Sequence, residues 1–127
     1  MYRDSILRKG KKMKLLIAGS RNFQDFEMMA EKLDFYLSAN KADEIVSGRA
    51  KGADMLGEKY AENRGIQVKV FPADWETHGR RAGYLRNEQM VAYATHAVFF
   101  WDSKSPGTRH AIQLFTEAKK PYRIVLF

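Results

Sequence analysis

The 127-residue chain contains no cysteine. That excludes disulfides, thiolate catalysis and cysteine-based zinc sites. Long apolar runs are also missing: none exceeds five residues, AVFFW at 97–101 among them, against the roughly 20 that a membrane-crossing helix needs. The basic start followed by LLIAG has the outline of a leader peptide, yet the apolar stretch falls short of the usual core of about 7–15 residues. A cytoplasmic protein is therefore expected. No spacing of His, Asp and Glu matches a metal site, and no serine sits in a nucleophile elbow. Neither a metal nor a cofactor is expected. There is no internal repeat and no linker, so nothing marks a second domain.

What is present is ordinary in bulk and uneven in detail. Hydrophobic residues make up 45% and charged residues 29%, within the range of globular domains. Net charge is +7, and residues 1–12 carry five cations (Arg3, Arg8, Lys9, Lys11, Lys12) against one anion, Asp4. A basic balance favours anionic partners such as nucleotides or nucleic acid. The division expected is a basic N-terminal extension, 1–12, and one domain, 13–127.

Short β-rich runs alternate with helical stretches. Strands are expected at 14–18, 44–47, 67–71, 96–101 and 122–127. Helices are expected at 25–39, 53–64, 82–94 and 107–119, the last stopped by Pro121. The stretch 72–81, with Trp75 in it, reads as a longer loop. This alternation implies an α/β fold, a single Rossmann-like three-layer domain with a mostly parallel five-stranded sheet. In such sheets ligands bind beyond the carboxyl ends of the strands. The loops there are GSRNFQD (19–25), SGRAKGAD (47–54), PADWETHGRRAG (72–83) and DSKSPGT (102–108), and nearly all the unusual chemistry falls on them.

Gly19, Ser20 and Arg21 combine close backbone approach, a hydroxyl and an anion clamp, although a tight turn with an exposed arginine has the same pattern. In the second loop, Ser47, Gly48 and Gly52 precede a helix, where exposed N–H groups and the helix dipole favour an anion. Arg49 and Lys51 add positive charge there. Asp54 caps that helix or orients a partner. Ser105, Gly107 and Thr108 repeat the logic before the last helix, or simply cap it. Trp75 could stack on a base or pack at a domain edge. Arg86 and Asn87 are placed to meet charged and polar groups, with Arg80 and Arg81 nearby, and His78 is a loop histidine. Asp74 and Asp102 follow strands, suited to ribose hydroxyls or to general-base work. Catalytic candidates are Arg86, Asp102 and Asp74.

Taken in order, IAGSRNF, IVSGRAKGAD, FPADW, AGYLRNEQM and FFWDSKSPGT resemble the YspA-like branch of the SLOG superfamily, over residues 13–127. That superfamily includes the LOG phosphoribohydrolases, which remove a base from nucleoside monophosphates, and the DNA-processing protein A proteins, which bind single-stranded DNA. The resemblance implies a Rossmann-like fold and a pocket for a nucleotide or nucleotide-derived small molecule, with a homo-oligomer, a dimer, as the expected assembly. Two departures stand out. The family loop usually reads GGARGAD; here it reads SGRAKGAD, in which Gly48 keeps a glycine, Arg49 is an added cation and Lys51 replaces arginine. The LOG enzymes also follow a PGGxGT loop with catalytic glutamates. Here SPGT is followed by Arg109, His110 and Ala111, and Glu117 lies more than about two helical turns further on. Three functions are therefore weighed: nucleotide-ligand binding or sensing, N-glycoside hydrolysis, and single-stranded nucleic-acid binding through the basic extension, Trp75 and the arginines.

Overall fold

The computed structural model describes residues 12–127. The basic extension lies outside the described residues except for Lys12. In chain order the elements are β1 (Lys14–Gly19), α1 (Phe26–Tyr36), β2 (Glu44–Ser47), α2 (Ala53–Arg64), β3 (Gln67–Val70), α3 (Trp75–His78), a 3-10 turn (Gly79–Arg81), α4 (Ala82–Tyr93), β4 (His96–Trp101), α5 (Pro106–Glu117) and β5 (Tyr122–Leu126).

The sheet order is β3-β2-β1-β4-β5. Every pairing is parallel, with Leu15 opposite Ile45 and Ile17 opposite Val98. Strands buried on both faces need apolar residues at every position, and β1 and β4 supply them. Leu15, Ile17, Val98 and Phe100 point to one side, where Met29 and Leu33 of α1 and Tyr60 of α2 cover them. Leu16, Ala97 and Phe99 point to the other, under Met90 of α4 and Phe115 of α5. The strand order reverses between β1 and β4, which opens a crevice at their carboxyl ends.

Three stretches differ most from expectation, the other ends shifting by single residues. The stretch 72–81 holds α3 and the 3-10 turn, because the Asp74 carboxylate accepts the Thr77 N–H at 3.2 Å and caps a helical turn. Trp75 is thus the first residue of a helix rather than part of a loop. The first helix stops at Tyr36, where the Leu37 N–H reaches back to Leu33 and the Ser38 hydroxyl takes the Phe35 carbonyl at 2.8 Å. The last helix begins with Pro106 and ends at Glu117. Lys119 is left-handed, φ 59°, so the chain has already left the helix before Pro121.

Lys120 sets the far end of α4. Its Nζ donates to the carbonyls of Val91 at 2.6 Å, Ala94 at 2.8 Å and Ala92 at 3.3 Å. These are carbonyls that a helix end leaves without partners. Replacing Lys120 with Met keeps the stem and strands them, so the expected cost is about 1–3 kcal/mol. Urea denaturation reads this as a lower midpoint with an unchanged slope; an unmoved midpoint would mean that the cap contributes nothing net.

Candidate functional site

At the switch point a cleft of about 570 Å³ opens between the loops after β1, β2 and β4 and the N-terminal half of α4. Its chemistry starts from one buried acid. Asp54, in the first turn of α2, is only 4% exposed. Its carboxylate accepts the Ala50 N–H at 3.4 Å, with further hydrogen bonding from the backbone of Gly19 and Gly48. Burial pushes its pKa up to about 6, against the pull of the neighbouring Arg86 and of those N–H groups.

Arg86 projects from α4 beside it. Its Nη1 donates to the Gly48 carbonyl at 2.6 Å and its Nε to Asn87 Oδ1 at 3.2 Å. Among the described residues, no acceptor bonds its Nη2, and the side chain lines the cleft. Burial lowers its pKa, with the Asp54 carboxylate opposing. Gly48 is the spacer that makes room for the pair. A Cβ there would lie 2.6 Å from Arg86 Nη1 and 2.9 Å from Asp54 Oδ2. Gly52 serves a different need: at φ +89° its Cβ would fall 2.5 Å from both the Ser20 and Arg21 carbonyls.

The expected phosphate cradle at 47–54 is thus largely engaged from within. The N–H groups of Gly48 and Ala50 face Asp54, and the Arg49 N–H goes to Ser47 Oγ at 3.0 Å. Arg49 itself is left-handed, φ 57°. Its guanidinium is clamped by Glu58, Nη2 to Oε1 at 2.9 Å and Nε to Oε2 at 3.2 Å, while Ser47 Oγ donates to Oε2 at 2.6 Å. Lys51 is exposed. Ser47, Gly48, Arg49, Lys51 and Gly52 stand outside the cleft lining; from this loop Ala50 and Asp54 reach it.

The other expected residues separate in the same way. Ser20 is buried, and its Oγ accepts the Asp102 N–H at 3.0 Å and meets Ser105 Oγ at 3.0 Å, tying the loops after β1 and β4 together. Gly19, Arg21, Asp102, Ser105, Gly107 and Thr108 line the cleft. Asp102 Oδ1 accepts the N–H groups of Lys104 at 2.9 Å and Ser105 at 2.8 Å, and these hold its carboxyl down at about 2. Among the described residues, no side chain caps α5. Its first turn therefore offers N–H groups and the positive end of its dipole to the cleft. Asp74 caps α3 and stands outside the lining, as does His78.

Trp75 and Tyr84 form the mouth, 51% and 45% exposed. The indole lies against Gly83, where a Cβ would sit 3.4 Å from Trp75 Cη2, at ordinary contact distance. Tyr84 and Asn22 are lining residues that sequence reasoning passes over. The signal for Tyr84 was available: it lies three positions before Asn87, on the same helical face. Among the described residues no three His, Asp or Glu side chains converge as metal ligands.

The parallel sheet, its switch-point cleft and the loops lining it define a Rossmann-like three-layer protein. A model of the family described as "YspA, cpYpsA-related SLOG family" matches residues 13–78, and the chain belongs to that family. It is 35% identical over 114 residues to the Gene 61 protein of Mycobacterium phage D29, covering 84% of this chain and 89% of the phage protein. Its fold is similar to that of DNA processing protein A from Helicobacter pylori, a protein described as binding single-stranded DNA. The TM-score is 0.67 at 20% identity, covering 88% of this chain. The match spans 64% of that longer chain.

Asp54 generates a pH signature. Its folded pKa of about 6 lies above the unfolded carboxylate value of about 3.9. The folded state therefore binds more protons between those values, and stability falls as pH rises through the window. The expected loss is about 2–3 kcal/mol between pH about 4 and 6, absent in Asp54→Asn. Parallel denaturation series on both proteins test this; identical pH profiles would show that Asp54 titrates normally.

Proposed function

We propose that the cleft binds a nucleotide or nucleotide-derived ligand, a nucleoside phosphate or an ADP-ribose-like molecule. The observation that carries this reading is Arg86: a part-buried guanidinium that lines the cleft, with two nitrogens fixed by the protein and no acceptor on the third among the described residues. Such a group is held ready for an anion. The start of α5 at Gly107 and Thr108 and Arg21, which has no bonded partner among the described residues, line the same space and suit a phosphate. Trp75 and Tyr84 at the mouth suit a base.

Binding is favoured over N-glycoside hydrolysis by the state of the acids. One oxygen of the Asp102 carboxylate, Oδ1, is committed to two backbone N–H groups, and Asp74, outside the cleft lining, is committed to a helix cap. A second reading, single-stranded nucleic acid in the same cleft, is supported by the fold's likeness to the Helicobacter pylori protein and by the net charge of +7. Association of two copies is supported by Phe35, Ile124 and Leu126, exposed apolar side chains at β5, an edge strand among the described residues; sedimentation equilibrium reads it.

Thermal shift and tryptophan fluorescence with AMP and ADP-ribose test the main reading. Arg86→Gln should weaken binding at least about tenfold, and Trp75→Ala by roughly ten- to a hundredfold if the indole stacks on the base. Single-stranded DNA would instead show a steep loss of affinity with salt, which deletion of 1–12 makes shallower. A broad nucleotide panel without any shift overturns the small-ligand reading.

A further inference from the structure

Arg86 does not hold its pose alone. Its Nε–H donates to Asn87 Oδ1 at 3.2 Å. The amide nitrogen of Asn87 donates to the Gly107 carbonyl at 3.1 Å and lies 3.2 Å from His110 Nδ1. A guanidinium can only donate, and a carbonyl can only accept. These two partners settle which end of the Asn87 amide is which: oxygen to Arg86, nitrogen to Gly107 and His110. The nitrogen therefore presents a hydrogen to His110 Nδ1, which must accept it. The imidazole is thus neutral, with its proton on Nε2.

From this geometry we infer that His110 is a positioning residue for the cleft: in its neutral form it locks Asn87, and through Asn87 the guanidinium of Arg86. A second proton on the imidazole would set N–H against N–H. Asn87 could escape only by withdrawing, or by turning its amide so that both the Arg86 and the Gly107 bonds are lost. Protonation of His110 therefore opposes the arrangement that faces the ligand. By linkage, ligand affinity falls as pH falls through the titration of His110, and a bound ligand makes His110 harder to protonate.

The surroundings keep the neutral form in place. Tyr84 of α4 stands edge-on to the ring at 4.5 Å between centroids. Burial lowers the histidine's pKa, while Glu88 of α4 and Glu117 of α5 pull it upward more weakly. Asn87 and the Gly107 carbonyl are the remaining polar neighbours along this path, and Arg109 precedes His110 on α5 with its guanidinium over Trp101. Asp54, on the far side of Arg86, titrates separately and has to be told apart.

The inference deepens the proposed ligand site, but its first test needs no ligand. Nitrogen-15 NMR on the full chain follows the His110 ring, the Asn87 amide and the Arg86 Nε–H against pH. Neutral His110 should show an unprotonated Nδ1. As it titrates, the Arg86 and Asn87 signals should move with the same midpoint. In His110→Gln, whose amide oxygen can accept from Asn87 without titrating, that movement should vanish. A proton on Nδ1 in the neutral ring overturns the inference, and so does an Arg86 signal that moves equally in both proteins, since that movement belongs to Asp54.

AMP titrations form the second arm. Wild-type affinity should drop roughly tenfold on full protonation of His110, the effect of one misdirected hydrogen bond. His110→Gln should lose that component and keep near wild-type affinity at neutral pH. His110→Leu should bind more weakly at every pH. Equal pH dependence in wild type and His110→Gln overturns the inference. If AMP binds none of these proteins, the nucleotide reading fails, while the NMR result still decides the role of His110.

Discussion

The buried carboxylate of Asp54 is the constraint around which the cleft is organised. A charge nearly removed from water must be surrounded by donors, and here the donors are backbone N–H groups from the turns after β1 and β2. Satisfying Asp54 thus shapes two loops at once and places the guanidinium of Arg86 between them and α4. The cost of burying the acid appears in its raised pKa. What it gains is a cation held in one pose at the floor of an open cleft, without a directly paired carboxylate neutralising it.

Much of the fold was legible in the sequence. Runs such as LLIA and AVFF are short and apolar at every position, as a strand covered on both faces requires. The helices between them carry one-sided apolar stripes. Boundaries were harder where a side chain closes or opens a turn. Asp74 capping α3 and Ser38 closing α1 act through single hydrogen bonds, and a periodicity argument does not register them.

The site was legible by location and less so by role. SGRAKGAD stands out for its glycines and cations, and both glycines and Arg49 have a structural purpose. Gly48 and Gly52 yield space to Arg86 and to the loop after β1. The cation Arg49 is held by Glu58, nine positions away in sequence and on the next helix. Sequence alone shows that a charge is present; whether another residue has already taken it depends on tertiary pairing. The same reason hid the chain from His110 to Arg86, whose members come from different helices and meet only when α4 packs on α5.

The wedge of Gly52 against the carbonyls of Ser20 and Arg21 has a consequence for how this cleft can vary. Two backbones in such close apposition behave as one mechanical part. A residue inserted in either loop would have to be matched by a rearrangement of the other, and a loop transplanted from a relative would arrive without its counterpart. Recombination between family members should therefore respect this boundary: segments 19–25 and 47–54 are exchangeable as a pair, whereas the mouth formed by Trp75 and Tyr84 can diversify on its own. Variety in ligand choice would then gather at the rim while the floor stays common.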